Sequence, residues 1–171
     1  RMAALLRQHG VRHALAALDG ELRAVGSQAS GLPWAVALER PEEGRRAVHG
    51  VIELEDLAVA TSGDYRRFVK LGHARVAHTM DARRGAPVNN AVASVTVLAP
   101  TCMQADAWAT ALLVAGPDEG VAMAQRMGLD VLLLLRRGEG LTALGLGRFG
   151  QTAAGSNLAS PRPTRAITRG P

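Results

Sequence analysis

The stretch VASVTVLAPTCMQADAWATALLVAGP, residues 92–117, holds two kinds of element and the boundary between them. Residues 92–98 form a Val-rich run that reads as a strand. Pro100 closes it and introduces a helix. Thr101 is placed to cap that helix, and Gln104 follows at the capping-box spacing. Gly116-Pro117 then stops it. The helix over 102–115 is apolar nearly all round, which predicts burial. A second helix over 118–127 ends at Gly128, so the pattern calls for a packed helix pair.

Working outward, the remaining elements are short strands. Residues 2–9 read as a helix stopped by Gly10. Residues 11–18 and 22–25 flank Asp19-Gly20, a hairpin signal that could equally let a ligand approach the backbone. Strands follow at 34–38, 48–53 and 57–60, with a turn at 41–44, and then at 75–80. Residues 130–137 and 141–146 form a closing hairpin across Gly138–Gly140. Many strands interrupted by a helix pair predict an α+β fold with a largely antiparallel sheet.

At 171 residues the chain is one domain or a piece of one, long enough to bury a core. Aromatics are only 3%, so that core is built from Ala, Val and Leu. Cys102 is the only cysteine, which excludes a disulfide-stapled mini-protein. The longest apolar runs fall far short of the roughly 20 residues of a membrane helix. The net charge is +5, carried almost wholly by dispersed arginines, since Lys70 is the only lysine. Scattered arginines with so few aromatics give no stacking platform for single strands, so no nucleic acid is expected as a partner. Residues 149–171 turn basic and rich in Pro, Ser and Arg, without acidic residues, and are expected to be a disordered tail to a domain over 1–148.

Three polar clusters stand out. Asp106 and Thr110 lie i,i+4 on one face of the helix expected to be buried. A buried carboxylate needs a partner or a cation. Asp with a Thr hydroxyl offers two hard oxygens that suit Mg²⁺. The plainer alternative is a carboxylate favoured by the helix dipole and a Thr bonded back to a carbonyl. The second cluster is Ala60-Thr61-Ser62-Gly63-Asp64-Tyr65. It could present backbone N–H groups to an anion, though local chemistry favours Ser62 or Asp64 capping a helix over 65–71. The third is His78-Thr79-Met80-Asp81-Ala82-Arg83-Arg84-Gly85. It could serve acid–base or phosphate chemistry, or be a turn in which Asp81 bonds the backbone two residues on.

Taken in order, these clusters closely resemble the ApbE family, the FAD:protein FMN transferases. The matching residues are Ala60-Thr61-Ser62-Gly63-Asp64-Tyr65, then His78, Asp81, Gly85 and Pro87. Ser94-Val95-Thr96-Val97, Ala105-Asp106-Ala107 and Thr110-Ala111 follow. Upstream, residues 13–22 look like the family's strand turn with its Gly-Gly pair. The sequence departs from the pattern at Asp19, where the first of those glycines is expected, at Ala82 in place of Pro, and at Arg84 in place of Thr.

The resemblance implies an ApbE-like fold, related to the T-fold. Family members are longer, so it also implies that this is the C-terminal portion of such a protein, the N-terminal half being absent. That half would carry a Met-Gly-Thr flavin contact, an Asp-x-x-x-x-x-Lys-Gly helix and an Ala carbonyl to the metal. The implied reaction is Mg²⁺-dependent transfer of FMN from the substrate FAD to a threonine hydroxyl of an acceptor protein, with release of AMP. The implied metal ligands are Asp106 and Thr110, and the implied catalytic residue is His78. Met80, Gly63 and Gly85 are the implied FAD contacts. The implied acceptor is a membrane redox subunit. The implied location is the periplasmic face of the bacterial inner membrane, with the full-length protein lipid-anchored. The departures leave room for a degenerate member that binds FAD without transferring flavin, or for a non-catalytic half-domain.

Overall fold

The computed structural model describes residues 1–42, 46–65, 68–71, 74–138 and 140–153. Helix α1 (Met2–Gln8) precedes the hairpin β1 (Ala14–Leu18) and β2 (Glu21–Val25). β3 (Trp34–Arg40) and β4 (Ala47–Leu54) pair as a separate ribbon, followed by β5 (Ala58–Gly63). Two small hairpins come next, β6 (Phe68–Leu71) with β7 (Ala74–Ala77) and β8 (Met80–Asp81) with β9 (Ala86–Pro87). The chain closes with β10 (Val92–Ala99), α2 (Cys102–Arg126), β11 (Asp130–Arg137), β12 (Gly140–Leu146) and α3 (Arg148–Ala153). Six strands form one antiparallel sheet in the order β1-β2-β5-β10-β11-β12. The α+β expectation with a largely antiparallel sheet therefore holds.

β10 is buried along its whole length because both its faces are covered. Val95 and Val97 meet Ala109, Leu112 and Leu113 of α2 on one side. Leu98, with Leu132 and Leu134 of β11, meets Val36, Leu38 and Leu54 of the β3–β4 ribbon on the other. This is the two-residue alternation of a strand, sending successive side chains into opposite layers. Truncating a fully buried leucine such as Leu112 in this arrangement would cost about 2–5 kcal/mol.

The capping pattern read from Thr101 and Gln104 is present. Gln104 N–H donates to Thr101 Oγ1 at 3.2 Å, and the Thr101 hydroxyl donates to Gln104 Oε1 at 2.9 Å. The expected helix pair is present as the two segments of α2, which meet at Gly116, whose φ of 83° is outside helical geometry. Pro117 has no N–H to give to the carbonyl four residues earlier. Asn90 supplies the missing donor: its Nδ2 lies 2.9 Å from the Leu113 carbonyl oxygen. The β1–β2 turn has φ of 47° at Asp19 and 107° at Gly20, a two-residue turn with both central residues left-handed. Asp tolerates that conformation, so the loss of a glycine at 19 leaves the turn intact.

Three sequence expectations are corrected. Of the helix expected over 65–71, residues 66–67 lie outside the described residues, and 68–71 are strand rather than helix. Asp64 is ion-paired with Arg136 and Ser62 is bonded to Thr110, so neither caps one. Phe68–Leu71 instead pairs as a strand with Ala74–Ala77. The strand expected over 75–80 is two strands, β7 and β8, separated by a bend at His78-Thr79. The expected tail does not begin at 149. Asp130 Oδ1 accepts the Arg148 N–H at 2.8 Å at the start of α3, and Phe149 is buried in the ribbon-side core. Residues 154–171 lie outside the described residues. No helix among those described is long and apolar enough to cross a membrane.

Candidate active site

β5 is longer than the part of it that β2 covers. The β2 pairing is confined to Leu22 with Val59 and Arg23 with Ala58. Beyond Val59 the strand runs on as Ala60–Gly63 with no further pairing to β2. The gap opens a cleft of about 590 Å³. Asp19, Gly20 and Glu21 rim it on the hairpin side, and β3 from Val36 to Glu39 walls it on the ribbon side. Thr61, Ser62 and Gly63 supply the β5 side, and Asp106 and Thr110 come from α2, with His78 and Thr79 also in the lining.

Asp106 and Thr110 are thus brought together on the cleft, one helical turn apart, as their spacing requires. The expectation that Asp106 is buried is corrected: it is exposed to the cleft. Helix α2 hides a different stripe, Ala105, Ala109, Leu112 and Leu113. The run of alanines around Asp106 made the helix look apolar on every side, but alanine is small enough to sit on an open face. Thr110 Oγ1 is 2.8 Å from Ser62 Oγ, and Thr61 Oγ1 is 2.8 Å from the buried Thr96 Oγ1. The carboxyl of Glu21 is pushed above its ordinary value, first by partial burial and then by the charges of Asp106 and Asp19. These acids make the hairpin end of the cleft electronegative.

Two hard oxygens, with the carboxylates of Glu21 and Asp19 near by, fit a divalent cation of the Mg²⁺ type. Among the described residues no cluster of three or more His, Cys, Asp or Glu could by itself enclose a metal. Mg²⁺ does not require one, since it is commonly held by one or two protein carboxylates and completed by water and substrate phosphates.

The other expected residues divide. His78 reaches the cleft. Gly63 reaches it too, but its lack of a side chain is already used by the fold. A Cβ there would stand 2.8 Å from the Tyr65 ring and 2.9 Å from the Ala93 carbonyl oxygen. Tyr65 in turn donates its hydroxyl to Glu39 at 3.2 Å, tying β5 to the ribbon. Met80 and Gly85 are not among the residues lining this cleft. Met80 pairs with Pro87, and Gly85, at φ 60°, closes the turn begun by Asp81. Asp81 is buried, and its Oδ1 accepts the Arg83 N–H at 2.9 Å, which is the turn reading of that motif. Arg83 is held by Glu119 at 3.1 Å, and Arg84 lines a separate cavity of about 400 Å³ beside Gly116 and Pro117.

Sequence reasoning missed the contact of Ser62 with Thr110 and the approach of the Asp19–Glu21 turn to Asp106. The first had a usable sign: Ala60 and Ser62 alternate on one face of a strand. The second depends on how far β2 runs, which no local pattern reports.

The sheet order, the β5–α2 cleft and the residues on it define a class of protein, and comparison with known proteins gives its name. The chain belongs to the ApbE family, whose model matches residues 1–133. It is 36% identical over 138 residues to the FAD:protein FMN transferase of Escherichia coli K12, covering 81% of this chain and 39% of that protein. It is 39% identical over 139 residues to the Vibrio cholerae enzyme of the same name, covering 81% and 42%. Among solved structures, the flavin transferase ApbE from Vibrio cholerae superposes with a TM-score of 0.74 at 35% identity. That match spans 87% of this chain and 47% of that one. The chain therefore spans well under half the length of these curated relatives.

Proposed function

We propose that the protein to which this chain belongs transfers FMN from FAD to a threonine hydroxyl of an acceptor protein, releasing AMP, with Mg²⁺ held by Asp106 and Thr110. The observation that carries the reading is the meeting of Asp106, Thr110 and Ser62 on one open cleft, in a chain whose relatives carry that enzyme's name. A bound Mg²⁺ supplies charge neutralisation at the pyrophosphate.

The residues of this chain do the rest. Asp106 and Thr110 offer oxygens where the pyrophosphate would lie. His78, which also lines the cleft, accepts the proton as the threonine oxygen forms its bond to the FMN-side phosphorus. The bond from that phosphorus to the bridging oxygen breaks, and AMP carries the bridging oxygen away. Displacement at phosphorus is largely positioning and charge stabilisation, which suits a cleft built of fixed hydroxyls and carboxylates. The family also motivates proposing a membrane redox subunit as acceptor and a lipid-anchored site of action at the periplasmic face.

The test is transfer by the natural full-length protein, given FAD, Mg²⁺ and a threonine-bearing acceptor and read by in-gel flavin fluorescence and AMP release. A chelator should abolish both. His78→Ala should slow single-turnover transfer at saturating FAD by about 10²–10⁴-fold while the FAD dissociation constant stays near the parent's. A rate within about threefold of the parent is too small for a general base and would reduce His78 to a wall of the cleft.

A further inference from the structure

Strand β5 and helix α2 approach closely because the residues between them are small. Ala60 packs against Ala105 in a cluster completed by Ala99. Two residues further along the same face of β5 stands Ser62, and a little over one turn further along α2 stands Thr110. The alanine contact sets the spacing, and at that spacing the two hydroxyl oxygens lie 2.8 Å apart. Both residues line the cleft, so the pair is formed at its edge.

We propose that Ser62 is a positioning residue for the Thr110 hydroxyl, an inference that rests on the metal role assigned above to Asp106 and Thr110. A hydroxyl that gives an oxygen lone pair to a cation has to send its proton elsewhere. In a helix a threonine commonly gives that proton to a carbonyl three or four residues back. Here Ser62 Oγ is within reach and accepts it. The Thr110 oxygen is then turned with its lone pair toward Asp106 and the cleft. Val95, directly opposite Ser62 in the β5–β10 register, is fully buried and stands beside the serine on the face toward α2. The threonine's rotor is thus set before any cation arrives. Outer partners of this kind orient metal ligands, and their removal typically weakens metal affinity about 10–100-fold.

The experiment titrates the natural full-length protein with Mn²⁺ alone, reading free Mn²⁺ by electron paramagnetic resonance, so that no turnover is needed. Ser62→Ala should weaken Mn²⁺ binding about tenfold or more, and Ser62→Thr, which keeps the hydroxyl on a β-branched side chain suited to a strand, should restore most of it. The decisive comparison is made in a Thr110→Val background, where Ser62→Ala should cause no further loss, because the two residues act as one unit. A merely structural serine would give the same loss in both backgrounds, and that result overturns the proposal. So does unchanged affinity in Ser62→Ala. If Ser62→Ala fails to fold, Ser62→Cys keeps the volume with a much weaker hydrogen-bonding group and must show the same loss. Asp106→Ala separates the two levels. If it binds Mn²⁺ as the parent does, the metal site itself is misplaced. If it loses Mn²⁺ while Ser62→Ala does not, only the role of Ser62 fails.

Discussion

The cleft at the end of β5 and the loop from Asp81 to Asn90 carry similar residues and use them in opposite ways. In the loop the polar groups are taken up by the backbone and by each other. Asp81 holds the Arg83 N–H, Arg83 pairs with Glu119, and Asn90 spans the Leu113 carbonyl and the Val92 N–H. In the cleft, Asp106 and Thr110 line open space, and partial burial followed by the charges of Asp106 and Asp19 raises the pKa of Glu21 above its ordinary value. A polar group whose bonds are complete stabilises the fold. One with acceptor capacity left over, beside other charges of its own sign, is placed for a ligand. The motif order alone does not separate the two.

Exchanging the two regions by mutation should therefore separate activity from stability. The largest effect belongs to Asp106→Ala. On the proposed metal role, its loss removes several kcal/mol of charge stabilisation, and FAD turnover by the full-length protein should fall about 10³-fold or more. Because Asp106 is exposed, Tm should stay within a degree or two of the parent. Normal turnover, or a collapse of the fold, would put Asp106 in the scaffold class with Asp81. Asn90→Ala should behave in the reverse way. It leaves the carbonyl of the buried Leu113 without a donor, because Pro117 cannot supply one, and costs about 1–3 kcal/mol. Thermal melting should drop by several degrees while Mn²⁺ affinity is unchanged. An Asn90→Ala variant that melts with the parent but loses the metal would break the distinction between the regions.

How much of this was visible in the sequence follows the same division. Local signals read well where one residue type answers one backbone need. Thr101 with Gln104 marked the start of α2, Gly116-Pro117 marked its break, and Asp19-Gly20 marked the β1–β2 turn. They failed where a tertiary partner outbid the local one. Asp64 has the chemistry of a helix cap, but Arg136, 72 residues away, takes its carboxylate, and Phe68–Leu71 folds as a strand. The basic stretch from 149 reads as a tail by composition, but its first residues belong to α3, where Asp130 accepts the Arg148 N–H and Phe149 is buried. In the site, Asp106 and Thr110 were paired by helical spacing alone. Ser62 joins them only through the packing of Ala60 on Ala105, a contact between segments some 45 residues apart in a 171-residue chain.

The smallest predicted effect tests whether the cleft, too, rests on a group of the scaffold kind. His49 is the extra residue of a bulge in the ribbon that walls the cleft: Leu38 pairs with Gly50 and Glu39 with Val48, leaving His49 unopposed. Its Nε2 is buried without a hydrogen-bond partner among the described residues. Burial, and then the charge of Arg40, lower its pKa below the ordinary 6.5. The folded protein therefore resists protonating His49 at a pH where the unfolded chain already binds the proton. Stability contributed by the neutral ring is complete above pH 6.5 and is lost as pH falls below it. His49→Leu removes the titration while keeping a side chain that fills the bulge. Melting the two proteins between pH 8 and pH 5 should show the parent losing stability relative to the variant only below about pH 6.5, by a few degrees at most. Parallel curves across that range would mean that the ring is solvated in both states. The bulge would then shape the cleft wall through Glu39 and Tyr65 alone.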